Sequence, residues 1–220
     1  MYSSITKKVI MSLMGLFLLT FLLVHLGINL TLITFKSGDN FNLAAHFMGT
    51  NPIVKILEIV LFAGFAIHIF WGVILYFQNN AARPQSYAVS NNSQESFFSK
   101  YMIHTGALVF AFLVIHLMDF WVKSRFSGGM PVIQIGGVEY EDMGRLVLEK
   151  FTDPVYSGIY IAFLLFMGFH LDHAFQSALQ SIGINHSKYT PIFKKFSRFL
   201  AVVITIGYIA IPIVIIFFKN

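Results

Sequence analysis

Five stretches of this chain are each long and apolar enough to cross a lipid bilayer, which takes about 20 residues per helix. They cover residues 9–35, 54–77, 101–122, 155–178 and 199–218. Backbone groups in hydrocarbon find no water, so each stretch must satisfy its own hydrogen bonds as a helix. The expected fold is an all-α, up-and-down bundle of five transmembrane helices forming a single domain, 1–220. Of the 220 residues, 56% are hydrophobic and 11% charged. A soluble domain carries roughly 25% charged residues, so the solvent here is largely lipid. The first run is far longer than a signal-peptide core of about 7–15 residues. It also lacks a small-residue cleavage site, and reads as a permanent span. Pro212 lies inside the fifth run and is expected to kink it, which membrane helices tolerate.

The connections are polar. The longest, 123–154, carries Gly128-Gly129 and Gly136-Gly137 and reads as a small surface hairpin or loop. Residues 36–52, 78–100 and 180–198 are the other links. The formal charge of +5 comes from cations flanking the apolar runs rather than from one stripe. That points to membrane lipid headgroups and not to nucleic acid. With the N-terminus inside, the inner side collects Lys7, Lys8, Arg83, Lys100, Lys188, Lys194, Lys195 and Arg198. The outer side collects Lys36, Lys55, Lys123, Arg125, Arg145, Lys150 and Lys219, several of them mixed with acids in the long loop. The Lys7-Lys8 start and the cluster before the fifth span favour the N-terminus inside.

Ionisable residues deep in membrane spans are costly and read as functional. His25, His68, His116 and His170 lie deep, each on a different span. At the rise of an α-helix, His25 and His116 lie roughly 20–25 Å from the inner ends of their helices. His68 and His170 lie about as far from the outer ends of theirs. The four therefore fall into two layers about 10 Å apart along the membrane normal. His25 pairs with His116 toward the outer side, and His68 with His170 toward the inner side. Facing histidines at equal depth can clamp a planar iron macrocycle. His173, one turn from His170, is the rival fourth ligand. His104 reads as an interfacial polar residue that a haem propionate or partner subunit would also suit. His46 and His186 are loop residues.

The metal chemistry favours haem. Two histidines per layer leave a zinc site short of ligands. Carboxylates are nearly absent at those depths, which disfavours a carboxylate-bridged di-iron site. A haem brings four ring nitrogens and needs two axial groups, and two histidines leave no open position, which suits electron transfer. With no cysteine, the chain holds no disulfide, thiolate–zinc or iron–sulfur site of its own. Glycines near the ligands, Gly64 and Gly72 around His68, and Gly27 and Gly168 near the others, read equally as room for a porphyrin and as helix–helix packing.

With these histidines placed, the chain resembles the cytochrome b membrane anchor subunit of succinate:quinone oxidoreductases, in the five-helix, two-haem form shared by succinate dehydrogenases and fumarate reductases. The resemblance rests on an ordered set covering almost the whole chain. Its parts are Lys8-Val9-Ile10-Met11-Ser12-Leu13-Met14-Gly15-Leu16-Phe17, then Val24-His25-Leu26-Gly27-Ile28-Asn29-Leu30, Ala82-Arg83-Pro84, Ile115-His116-Leu117, and Phe169-His170-Leu171-Asp172-His173-Ala174-Phe175 followed by Gln176-Ser177-Ala178-Leu179-Gln180-Ser181. No single motif among them is specific. The resemblance implies two haems b, one held by His25 and His116 distal from the catalytic subunits, the other by His68 and His170 proximal to them. It implies a flavoprotein subunit with covalent FAD and an iron–sulfur subunit on the cytoplasmic face of a bacterial inner membrane, and an oligomer of the whole complex. Some fumarate reductases of this kind carry a glutamate near the fourth-helix ligand for compensating proton transfer. Here Gly168 and Asp172 flank that region and no glutamate does, so such a path is not expected.

The chain has no Gly-x-Gly-x-x-Gly nucleotide fingerprint, so dicarboxylate chemistry belongs to the partners. The expected role is to carry electrons from succinate, through the iron–sulfur subunit and the two haems, to a quinone on the outer side, menaquinone by resemblance. Asp39, His46, Glu58 and Asp119 are the outer-side candidates for handling quinone protons. The same scaffold serves quinol:fumarate reductase running in reverse. A cytochrome b anchor of a hydrogenase or formate dehydrogenase would carry the same haem signature with different partners. A histidine-relay transporter predicts a polar pathway, and few Asp, Glu, Asn or Ser residues line the spans.

Overall fold

Each apolar stretch is a helix longer than the run that announces it. The structure, a computed structural model, describes residues 4–35, 38–81, 101–126, 128–184 and 186–218. The Ala82-Arg83-Pro84 motif and Lys36, Lys100 and Lys219 lie outside the described residues. The membrane-spanning helices are α1 (Ser4–Thr34), α3 (Pro52–Ala81), α4 (Met102–Phe126), α6 (Pro154–Ser181) and α7 (Thr190–Phe218). All five are long and apolar enough to cross a membrane. Two begin with the same device. Asn51 Oδ1 accepts from the Ile53 and Val54 amides ahead of α3, and Asp153 Oδ1 from the Val155 and Tyr156 amides ahead of α6. Pro52 and Pro154 follow these caps, where proline's missing N–H costs nothing. The α7 helix runs unbroken through Pro212, which is fully buried.

At one end the bundle carries a cap. It consists of α2 (Asp39–Thr50), β1 (Val132–Ile135), β2 (Val138–Glu141) and α5 (Met143–Phe151). The strands pair antiparallel, Ile135 opposite Val138. The turn between them is Gly136-Gly137, with φ of 61° and 82°. Both values are left-handed, as a two-residue hairpin turn of matching twist demands, and only glycine adopts them without strain. The hairpin fits the reading of 123–154. The two short helices, α2 and α5, were not legible there or in 36–52.

Buried Asn42 ties the cap together: its Nδ2 donates to Asp142 Oδ1 (2.9 Å) and its Oδ1 accepts from the Gly144 amide (2.7 Å). Phe41, Val147 and Phe151 of the cap join Leu26, Leu32, Tyr160, Ile204 and Ile215 of the bundle in one continuous core. Much of the remaining apolar surface, including Ile59, Phe70, Phe110, Phe199 and Ile206, points outward, as lipid-facing surface must.

Packing around the bundle is uneven. The α1 helix packs against α3, α6 and α7, and α4 against α6, while α3 and α4 touch only slightly. Helices α1, α3, α4 and α6 thus stand as the corners of a square. The diagonal pairs, α1 with α4 and α3 with α6, form no substantial backbone interface.

Candidate haem sites

The four deep histidines meet across those diagonals. His25 of α1 faces His116 of α4, with ring centroids 5.6 Å apart and planes at 88°. His68 of α3 faces His170 of α6 at 6.4 Å and 79°. Two metal–imidazole bonds of about 2.0–2.1 Å, with ring centres roughly 1 Å behind the bonding nitrogens, set centroids a little over ~6 Å apart. The His68–His170 pair has the spacing for one metal ion between the rings, and the His25–His116 rings stand closer than that. His170, not His173, supplies the ring opposite His68.

For His68 and His170, hydrogen bonding decides which nitrogen the ring offers. His68 Nδ1 lies 3.4 Å from the Met11 carbonyl oxygen. A carbonyl only accepts, so the proton sits on Nδ1 and the Nε2 lone pair is free. Thr105 gives its hydroxyl proton to the Met102 carbonyl (3.0 Å), so toward His170 Nδ1, 3.4 Å away, it acts as acceptor. His170 is thereby held in the same tautomer. His116 Nδ1 pairs with the Tyr160 hydroxyl at 2.7 Å. Orientation of a metal-binding imidazole through its second nitrogen is the usual supporting arrangement at such sites. His25 is placed instead by stacking on Phe21, at 5.2 Å and 18°.

Glycines meet the rings from neighbouring helices rather than from the histidines' own. A Cβ on Gly15 of α1 would lie 3.4 Å from His68 Cε1, and one on Gly106 of α4 would lie 3.5 Å from His170 Cε1. Gly15 precedes His25 by ten residues, and Gly106 precedes His116 by ten. The two layers are therefore about 15 Å apart along the helices, wider than the 10 Å expected from sequence. The glycines singled out from sequence do other work. Gly64 packs on Phe17 and Leu18, Gly72 on Met11, and Gly168 on Thr205, while Gly27 faces nothing close.

The candidate quinone residues separate. Asp119 sits in a π-helical stretch of α4, Leu117–Val122, directly after His116. Such turns inside α-helices are frequent at functional sites. Its carboxylate accepts from Lys150 Nζ (2.5 Å) and from the Tyr156 hydroxyl (2.9 Å). Tyr156 stacks on Tyr160 (5.3 Å), which bonds His116, so a polar line runs from Lys150 at the cap to the His25–His116 pair. Glu58 is engaged elsewhere, by Trp121 Nε1 (2.6 Å) and Arg125 (3.0 Å), the latter also donating to the Gly49 carbonyl. His46 is exposed on α2, edge-on to Tyr140, and Asp39 lies in the first turn of α2. The structure thus links only Asp119 to a histidine pair. Tyr156, Tyr160, Lys150 and Thr105 were missed from sequence. The one available signal was the helical i, i+4 spacing of the two tyrosines.

Among the described residues no three His, Asp or Glu side chains converge as a metal site. Each pair thus offers two ligands, and a group held there must bring its own equatorial donors, as a haem does. His68 and His170 fit that group in spacing and in a free nitrogen, and both pairs fit it in diagonal placement. No protein-family model, curated protein or solved structure matches this chain.

Proposed function

We propose that this chain is the membrane anchor cytochrome b subunit of a bacterial succinate dehydrogenase, a succinate:menaquinone oxidoreductase of the cytoplasmic membrane. The observation that carries the proposal is the pairing of four intramembrane histidines, two by two, at two depths across the diagonals of one bundle. His25 and His116 hold one haem b toward the cap, and His68 and His170 hold the other. A haem bound by two histidines supplies one-electron carriage without an open coordination position.

The chain's own residues do the rest. Met11, Thr105 and Tyr160 fix the imidazoles. Gly15 and Gly106 keep the backbone close to the rings. Phe21, Phe112 and Phe120 wall the His25–His116 pair with apolar rings. The flavoprotein and iron–sulfur subunits dock at the end opposite the cap, with the N-terminus on the cytoplasmic side, where Lys188, Lys194, Lys195 and Arg198 are exposed. The quinone approaches from the cap end, where Asp119 is the residue tied to a histidine pair.

Succinate added to membranes containing the assembled complex tests this directly. Reduction of the b-type haems by succinate, with flavoprotein and iron–sulfur subunits co-purifying, is the expected result. Reduction by hydrogen or formate in place of succinate would assign the anchor to a different enzyme.

A further inference from the structure

Lys7 and Lys8 stand side by side at the start of α1 and have opposite fates. Lys8 is exposed, as a cation beside a membrane span ordinarily is. Lys7 is only 9% exposed. Its ammonium lies 5.6 Å above the Trp71 ring and 3.3 Å from Gln78 Oε1. Both partners are neutral, and among the described residues no carboxylate forms an ion pair with it. Burying a charge is costly unless an opposite charge meets it.

The position of Lys7 says where that anion belongs. Lys7, Met11 and Gly15 form one stripe of α1 at i, i+4 spacing. Met11 O faces His68 Nδ1, and Gly15 faces the same ring. On α3, His68, Trp71, Leu75 and Gln78 form the facing stripe. Lys7 therefore lies on the histidine-facing side of α1, one helical turn from Met11 toward the membrane surface. A lipid phosphate would meet Lys8, on the outside. An anion on the inside of this seam would lie beside the His68–His170 pair.

We infer that Lys7 is the cation that receives a propionate carboxylate of the haem held by His68 and His170. This rests on the haem reading above. Trp71 and Gln78 are positioning residues that aim the ammonium. A cation on the propionate offsets negative charge near the iron and favours its reduced form, so removing it lowers the potential of that haem alone.

The experiment is a redox titration of the purified complex, wild type against K7M and K7R. The lower-depth haem is assigned by its loss in H68M. Methionine fills most of the lysine volume without a charge. K7M is expected to lower the potential of the His68–His170 haem by up to a tenfold change in its one-electron equilibrium, about 59 mV. The other haem should hold still, and K7R should restore the wild-type value. Unchanged potentials in K7M, or equal shifts in both haems, would overturn the assignment of Lys7 while leaving the two-haem reading intact. A wild-type protein without haem would overturn both.

Discussion

At the scale of single residues, each histidine has one partner across the bundle and, for three of them, one anchor behind the ring. The ligand roles make a specific prediction. Replacing His25 or His116 by methionine should remove or alter one haem, the same one in both variants. Replacing His68 or His170 should do so to the other. Haem per chain and the low-temperature absorbance bands of the four variants check this pairing. A His25 variant that behaved like a His68 variant would contradict it. Tyr160 gives a finer test. Its hydroxyl holds His116 Nδ1 at 2.7 Å, and such a bond raises the basicity of a metal-binding imidazole. Y160F should weaken donation to oxidised iron and raise the potential of the His25–His116 haem. A net hydrogen-bond contribution of about 1 kcal/mol sets the scale. The His68–His170 haem, titrated in the same sample, should not move.

The residues themselves mark the limit of sequence reading. Depth could be counted from the helix ends, so the four deep positions and their two-by-two pairing were accessible, but His173 stood as a rival to His170 until packing placed His170 opposite His68. The anchors were not, because Met11 acts through its backbone, and Thr105 and Tyr160 act from helices that meet the histidines only after packing. The glycines show the same limit. Gly64 and Gly72 were noticed because they share a helix with His68, whereas the glycine against that ring, Gly15, comes from α1.

At the scale of elements, the long apolar runs gave away the five spans, and the glycine pair gave away the hairpin. The amphipathic short helices were hidden. In α5, Gly144, Val147 and Phe151 are buried while Arg145 and Glu149 pair in solvent. That periodicity spans barely two turns inside a polar connection. In α2 the inward face includes Asn42, a polar residue that counts as a surface signal until Asp142 and Gly144 are seen around it. N42A should leave the Gly144 amide and part of Asp142 unsatisfied in a buried place, at a cost of about 1–3 kcal/mol. Faster amide exchange across α2 and α5, with the spans unaffected, is the expected observation. The α6–α7 seam gives a second test. A Cβ at Gly168 would collide with the Thr205 side chain, and overpacking of this kind costs about 1–3 kcal/mol. G168A should lower the thermal stability of the bundle. G27A, where no atom lies within 4 Å, should not.

At the scale of the whole molecule, the arrangement separates two jobs. Adjacent helices supply the packing, and the diagonals carry the histidines. The cap closes one end and brings Lys150 to Asp119, while the other end presents exposed cations. The proposed electron carrier between a peripheral enzyme and a membrane quinone would use such a division: two histidine pairs at successive depths, an end with exposed cations, and a capped end with a polar line to the nearer pair. The measurement that tests this account most directly is a reduced-minus-oxidised visible spectrum of the purified protein, produced with ample haem supply, with haem quantified per chain. Two b-type haems per chain, low-spin in both oxidation states, are the expected result. A protein that folds in the membrane yet binds no haem would contradict it, and would return the paired histidines to proton relay or transport.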